Sequence, residues 1–171
     1  MCLDEPVHLL AHDPGWMGIA AREISRLSLA LEAASGTIQH IGSTAVAGLI
    51  AKPIIDIMIG VAAYPPPAML TERLRELDYK CLGEAGVSER LYFRRRAVDA
   101  FNVHVVLLGG SHWFANLSFR EYLRSEPAAR QRYEAAKLDA IRAGHNMLLA
   151  YSNAKSAVTM ELIRGAQEYA A

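Results

Sequence analysis

The residues best suited to chemistry lie in a short turn, Gly42-Ser43-Thr44, which follows a strand-like run and precedes about one turn of helix. Glycine lets the backbone approach a bound phosphate, serine adds a hydroxyl donor, and a helix that begins here presents unpaired amides. The turn therefore predicts a phosphate site. Many strand-to-helix turns use Gly-Ser for geometry alone, and this alternative stays open.

A single carboxylate, Asp56, stands inside the otherwise apolar run of residues 54–61. An unpaired charge is costly in such a strand, so Asp56 requires a partner. The partner is either a lysine or arginine in a structural ion pair, or a divalent metal or a proton to be abstracted. Strand alternation puts Asp56 and Met58 on one face of the strand and Ile55 and Ile57 on the other.

Basic residues near the carboxyl end supply a further signal. Lys155 recurs with the apolar stripe of the last predicted helix, and Lys137 lies at helical spacing from Tyr133. These two lysines could form an anion-binding wall opposite the Gly42-Ser43 turn, together with Lys52, Arg94 and Arg120. In the alternative, the long basic side chains extend past apolar neighbours into water.

Three consecutive arginines, residues 94–96, form the densest charge run of the sequence. In a strand, Arg95 points to the opposite face from its two neighbours, so the run is no continuous stripe for nucleic acid. We expect it to be solvated, as most such runs are.

The elements around these residues predict a small mixed sheet covered by helices, an α/β (α+β) class. Asp13-Pro14 is typical of a helix start, and the helix runs to about residue 34 with an apolar stripe that ends at Ala34. Strands are expected at residues 37–41, 54–61, 91–96 and 101–108, the last two as an antiparallel hairpin.

Further helices follow from the apolar spacing. One carries Leu70, Leu74 and Leu77 on one face after a proline-rich break and serves as a crossover. Three more form a helical carboxyl-terminal third, at residues 111–124, 127–142 and 146–169.

Composition bounds the class of protein. The 171 residues are 52% hydrophobic, enough for one domain with its own core, and 18 basic residues balance 18 acidic ones. No overall positive field exists to attract nucleic acid or an anionic membrane. Cys2 and Cys81 are too few for a disulfide or zinc framework, and neither has the context of a nucleophile. With no secretory signal and no run of roughly 18 apolar residues, we expect a cytoplasmic protein.

The segment His40-Ile-Gly-Ser-Thr, followed by Lys52-Pro-Ile-Ile-Asp56, resembles the Gly-Ser, spacer, Asp signature of the nucleotidyltransferase superfamily, and in particular the GrpB family. The similarity extends to residues 13–16, 119–124, the strand with His104, and the Tyr-Lys pairs at 133 and 137 and at 151 and 155. The resemblance implies a nucleotidyltransferase-type fold of residues 1–171 and a superfamily chemistry, without a substrate.

One position departs from the superfamily pattern. Nucleotidyl transfer usually employs carboxylates two residues apart, plus a third on a neighbouring strand, to hold two magnesium ions. Met58 occupies the second position, and Asn102 and His104 stand where the third is expected. Methionine is no ligand for magnesium.

Two other arrangements remain open. His40, Asp56 and His104 could converge as a softer site for zinc or manganese, or His104 could act as general base with Asp56 orienting it. A histidine inside an apolar strand is otherwise a neutral, hydrogen-bonded core residue.

These observations predict a protein that binds a nucleotide or another phosphorylated small molecule. The phosphate-binding residues are expected to be Gly42, Ser43, Thr44 and the five basic residues of the wall. If catalytic, with Asp56 and His104 at the centre and with magnesium, manganese or zinc, it transfers a nucleotidyl group to a small acceptor. The alternative is a non-catalytic ligand-binding or regulatory module with an incomplete metal site. The sequence leaves the oligomeric state open.

Overall fold

The structure is a computed structural model and describes residues 4–33 and 36–169. The first helix is α1, Gly15–Leu31. Its start is fixed by Asp13, whose carboxylate accepts a 2.8 Å hydrogen bond from the Gly15 amide, as the sequence predicts. Trp16, Ala20 and Leu27 form its buried stripe, whereas Ala34 lies outside the described residues.

The described residues form a mixed five-stranded sheet in the order β1-β2-β5-β4-β3. The strands are β1 (Ile38–Ile41), β2 (Ile54–Val61), β3 (Lys80–Cys81), β4 (Arg90–Arg96) and β5 (Ala100–Leu107). Strands β2 and β5 are parallel, and the other neighbours are antiparallel. The predicted mixed sheet and its β4-β5 hairpin are thus confirmed.

The two faces of the sheet differ in polarity, and β2 is covered on both of them. The apolar face carries Ile55, Ile57 and Ile59, which pack with α1 and with Leu74 of α2 (Ala68–Glu76). The opposite face, which we call the polar face, carries Asp56 of β2 together with Asn102 and His104 of β5, since the parallel register aligns these residues side by side.

Helices of the carboxyl-terminal third cover part of the polar face. They are α3 (Ser111–Ser125), α4 (Pro127–Arg142), α5 (Leu148–Ala154) and α6 (Ser156–Tyr169). Trp113 of α3 packs on Met58, and Tyr133 of α4 packs with Leu49 and Leu162 in a separate cluster. The single helix expected at residues 146–169 is wrong: it breaks at Lys155, where no glycine or proline marks the break. No helix of the described residues has the length and apolarity that a bilayer span requires.

Candidate functional site

A cavity of about 140 Å³ opens where the polar face meets α4 and α5. The turn between β1 and β2 supplies one side of it, because Ser43–Ala45 forms a single 3₁₀ turn directly after Gly42. The other side comes from α4 and α5. The lining residues are Gly42, Ser43, Thr44, Ala51, Lys52, Ile54, Asp56, Tyr133, Lys137, Tyr151, Ser152 and Lys155.

Gly42 is required at the entrance to this turn. Its backbone has φ 72° and ψ −168°, a region that only glycine adopts without strain. A Cβ at this position would lie 2.7 Å from Oδ2 of Asp56. The Asp56 carboxylate therefore packs directly against the backbone of Gly42. The two parts of the sequence signature, Gly42-Ser43 and Asp56, are thus in contact.

Asp56 is oriented by two neighbours on β5. Its Oδ1 accepts a 2.7 Å hydrogen bond from Asn102 Nδ2 and lies 3.3 Å from His104 Nε2. Burial raises the pKa of Asp56, but the hydrogen bond and positive field of His104, then Lys52 and Asn102, outweigh burial and hold the pKa at about 2. The carboxylate is ionised at neutral pH.

Asn102 is held in turn by a relay that the sequence did not reveal. Its Oδ1 accepts a 2.9 Å hydrogen bond from Arg96, which fixes the side-chain amide so that Nδ2 points to Asp56. Arg96 also makes two hydrogen bonds of 2.8 and 3.0 Å to Glu5. The amino-terminal segment therefore stabilises the orientation of Asp56. The alternation of polar residues in β4 was the available signal.

His104 is a partner of Asp56 rather than part of the cavity lining. Its Nδ1 lies 3.5 Å from the Arg90 guanidinium, and its ring packs on Tyr92 with centroids 5.1 Å apart. Both ring nitrogens thus face protein groups. The general-base role predicted for His104 stays a prediction, and the geometry favours a positioning role.

The predicted metal site of His40, Asp56 and His104 is wrong for the described part of the chain, in which no group of three suitable ligands exists. His40 pairs with Ile57 across β1 and β2, so its ring lies on the apolar face, opposite Asp56. There its Nε2 is 2.9 Å from Thr44 Oγ1. Burial, reinforced by nearby arginines, lowers the pKa of His40 to about 4 despite the field of Asp56.

The two-magnesium arrangement that the resemblance implies does not fit these residues either. Beside Asp56 stand the amide of Asn102 and the imidazole of His104, while Met58 is fully buried against Trp113. One carboxylate alone does not hold two hard cations, because each requires several oxygen ligands.

Of the five basic residues predicted to face the turn, Lys52, Lys137 and Lys155 line the cavity. Arg120 instead donates to the carbonyl oxygen of His40 and pairs with a neighbouring glutamate. Arg94 extends over Tyr92 towards Glu5 and does not line the cavity.

The three lysines differ in how they are held. Lys137 Nζ lies 2.6 Å from Ser43 Oγ and 2.7 Å from the carbonyl oxygen of Ile50. Lys155 Nζ lies 3.3 Å from the Tyr133 hydroxyl. Burial lowers the pKa of Lys52, although the Asp56 charge opposes the shift.

The expectation that residues 94–96 are solvated is wrong for Arg94 and Arg95, whose side chains are 10% and 17% exposed, whereas Arg96 is exposed. Arg95 does point to the opposite face from its neighbours, but there it makes a 2.8 Å ion pair with the buried Glu23. Arg96 pairs with Glu5. The sequence spacing between partners, 72 and 91 residues, gives no local signal of either pair.

Fold and cavity together define a mixed α/β domain with a lysine-lined cavity beside the polar face of its sheet. The family model described as GrpB protein matches residues 6–164, and the chain belongs to the GrpB family.

Relatives agree with this assignment. The chain is 30% identical over 163 residues to the glutamate-rich protein GrpB of Alkalihalophilus pseudofirmus, covering 92% of this chain and 94% of that protein. It is 28% identical to the dephospho-CoA kinase of Mycobacterium bovis, over 96% of this chain and 47% of that protein. The crystal structure of conserved protein GrpB from Enterococcus faecalis superposes with a TM-score of 0.85 at 28% identity, covering 96% of this chain and all of that one.

Proposed function

We propose that the protein binds a phosphorylated small molecule of the nucleotide class, with its phosphates in the cavity between the Gly42-Ser43 turn and the helices α4 and α5. The observation that carries this proposal is the distribution of lysine. The sequence has four lysines, and Lys52, Lys137 and Lys155 line this one cavity. The fourth, Lys80, is exposed on the edge strand β3.

The ion pairs of the described residues use arginine, or in one case histidine, as the cation, and none uses a lysine. Arginine suits fixed ion pairs because its planar group binds carboxylates in a defined geometry. Lysine is a point charge that suits a ligand phosphate. Three lysines gathered in one cavity, none of them in an ion pair among the described residues, favour an anionic ligand, because such a ligand relieves the repulsion between like charges in a partly buried site.

The turn adds directional donors to this charge. The Ser43 hydroxyl lies at the cavity wall, and Gly42 lets the backbone come close to a bound oxygen. Tyr133 and Tyr151 also line the cavity, on the side of α4 and α5.

Transfer of a nucleotidyl group to a small acceptor is the second candidate. It is favoured by the ionised Asp56, which lines the cavity and packs against Gly42. If Asp56 serves chemistry, Asp56→Asn should retain the fold and ligand affinity within a few-fold and lose turnover. If the protein is a binding module, the same substitution should change only affinity. The readout is release of diphosphate from ATP during incubation with candidate acceptors.

The binding proposal is tested by isothermal titration calorimetry of the full chain with ATP, AMP and inorganic phosphate, each with and without magnesium. We expect ATP to bind without added metal, and Lys52→Met and Lys155→Met to weaken binding by at least about tenfold, the effect of losing a charge-assisted contact.

Lys80→Met is the matched control, because it removes the same charge from the exposed edge strand. Equal weakening by all three substitutions would reduce the effect to net charge and contradict the proposal. Absence of any heat or thermal stabilisation with these phosphates would contradict it as well.

A further inference from the structure

Lys137 is the most enclosed of the three cavity lysines, with 2% of its surface exposed. Its Nζ lies 2.6 Å from Ser43 Oγ and 2.7 Å from the carbonyl oxygen of Ile50, and 4.6 Å from the centre of the Tyr133 ring. No carboxylate pairs with it among the described residues. A buried lysine held against a serine hydroxyl is more than a point charge for a ligand.

The charge state of Lys137 follows from these surroundings. Burial lowers its pKa to about 7, and the charge of Lys155 contributes in the same direction, while Glu134 opposes the shift. Lys52 and Asp56 face it from the β1-β2 side with smaller and opposed effects. A large fraction of Lys137 is therefore the neutral amine at neutral pH.

In the structure Lys137 Nζ donates to the carbonyl oxygen of Ile50 and to Oγ of Ser43. When Lys137 is the neutral amine, its lone pair is available to accept the Ser43 hydroxyl proton over the same 2.6 Å. Ser43 also lines the cavity in which the proposed ligand would lie. This is the geometry of an activated nucleophile and its base.

We propose that Ser43 and Lys137 form a nucleophile-base pair that attacks the phosphorus of a bound phosphoric anhydride and forms a phosphoester intermediate on Ser43. The inference uses the proposed function only to put a phosphorus atom beside Ser43.

The atoms and charges balance in two halves. In the first, the Ser43 Oγ–P bond forms, the hydroxyl proton moves to Lys137 Nζ, and the bridging P–O bond breaks with its electron pair on the leaving phosphate. In the second, water or an acceptor hydroxyl attacks the phosphorus and loses a proton to solvent. Ser43 then leaves with the proton held on Lys137. Lys52 and Lys155 lie in the same cavity to offset charge on the non-bridging oxygens.

The test uses a short-chain alkyl fluorophosphonate, which reacts with an activated serine by forming Oγ–P and releasing fluoride. The full chain is incubated with this probe between about pH 6 and 9, and the modified peptide is located by mass spectrometry. We expect the adduct on Ser43, with a rate that rises as the pH passes through about 7 and Lys137 loses its proton.

Lys137→Arg distinguishes a role as general base from a role as positive charge. Arginine has a long side chain and a positive charge like lysine, but it stays protonated and cannot accept the proton. The labelling rate should fall at least about tenfold in Lys137→Arg, a typical effect of losing a general base. Lys80→Arg, on the exposed edge strand, should label as the wild type does.

The proposed nucleophile-base pair would be overturned by an unmodified Ser43, or by an adduct on Lys137 or Ser152 instead. It would also be overturned by an unchanged labelling rate in Lys137→Arg, or by a wild-type labelling rate that does not change with pH. The wild-type pH profile decides even if the variant fails to fold. If ATP still binds while Ser43 stays unlabelled, the pair fails and the proposed function stands. If Ser43 is labelled but ATP does not bind, the nucleophile-base pair stands and the proposed function fails.

Discussion

The two faces of the sheet differ in whether their enclosed charges have an ion-pair partner. On the apolar face, Glu23 of α1 is 5% exposed and fully engaged: it receives 2.8 Å and 2.9 Å contacts from Arg95 and Arg26, and a 2.9 Å hydrogen bond from the Tyr79 hydroxyl. Beside the polar face, Lys52 has no ion pair in the described chain. One cluster is balanced within the protein, and the other is not.

This difference separates a structural role from the binding role that we propose for the cavity lysines. A buried carboxylate with a full set of donors stabilises the arrangement of the segments it joins, here α1, β4 and Tyr79, which directly precedes β3. Under this proposal, lysines that have no ion pair among the described residues lower the stability of the free protein and gain a close partner when an anion binds. The comparison would fail if the Glu23 cluster contributed little to stability, or if the cavity lysines proved to be structural charges.

The largest effect is expected for Glu23→Gln. The substitution leaves Arg95 with a buried charge and no carboxylate, which should lower the free energy of unfolding by about 4 kcal/mol. Urea denaturation measures the change. Glu32→Gln is the control, because the side chains of Glu32 and its partner Arg73 are 78% and 37% exposed and their pair should contribute less than about 1 kcal/mol. Equal losses would show that burial does not distinguish these pairs.

A second effect on the apolar face depends on pH. The native pKa of His40, about 4, is below the ordinary 6.5, so on acidification the unfolded chain binds this proton first. Native stability therefore falls as the pH decreases from 6.5 to 4, by at most about 3 kcal/mol from this group. His40→Gln should remove that part of the pH dependence in urea denaturation at pH 7 and 4.5. An identical dependence in both proteins would contradict the assignment.

The smallest expected change in stability is an increase rather than a loss. Lys52→Met removes a charge that burial disfavours, so we expect stability to stay unchanged or to rise by up to about 1 kcal/mol, while phosphate binding weakens. Thermal unfolding without ligand measures it. A loss of more than about 2 kcal/mol would mean that Lys52 is a structural charge like Arg95.

The sequence predicted those parts of the fold that have a local cause. The start of α1 follows from Asp13, and the strands follow from runs of branched residues, so their bounds came within a residue or two. The two-residue strand β3 depends on its pairing with β4, and no glycine or proline marks the break at Lys155.

The site was predictable to a similar degree. The spacing from Gly42 to Asp56 pointed to one cavity, and three of five basic residues do line it. The position of His40 required the register of β1 against β2, which alternation alone does not give. The polar alternation of β4 was a signal for Arg96, but its partners Glu5 and Asn102 are 91 and 6 residues away and follow only from tertiary packing.

The most direct test of the central claim is nuclear magnetic resonance of the side-chain signals in a chain labelled only at lysine, since four lysines give four assignable sets. On addition of ATP, the signals of Lys52, Lys137 and Lys155 should shift together with one dissociation constant, while Lys80 stays in place. Shifts at Lys80 alone, or shifts at all four that follow ionic strength, would contradict the claim that this cavity is a phosphate site.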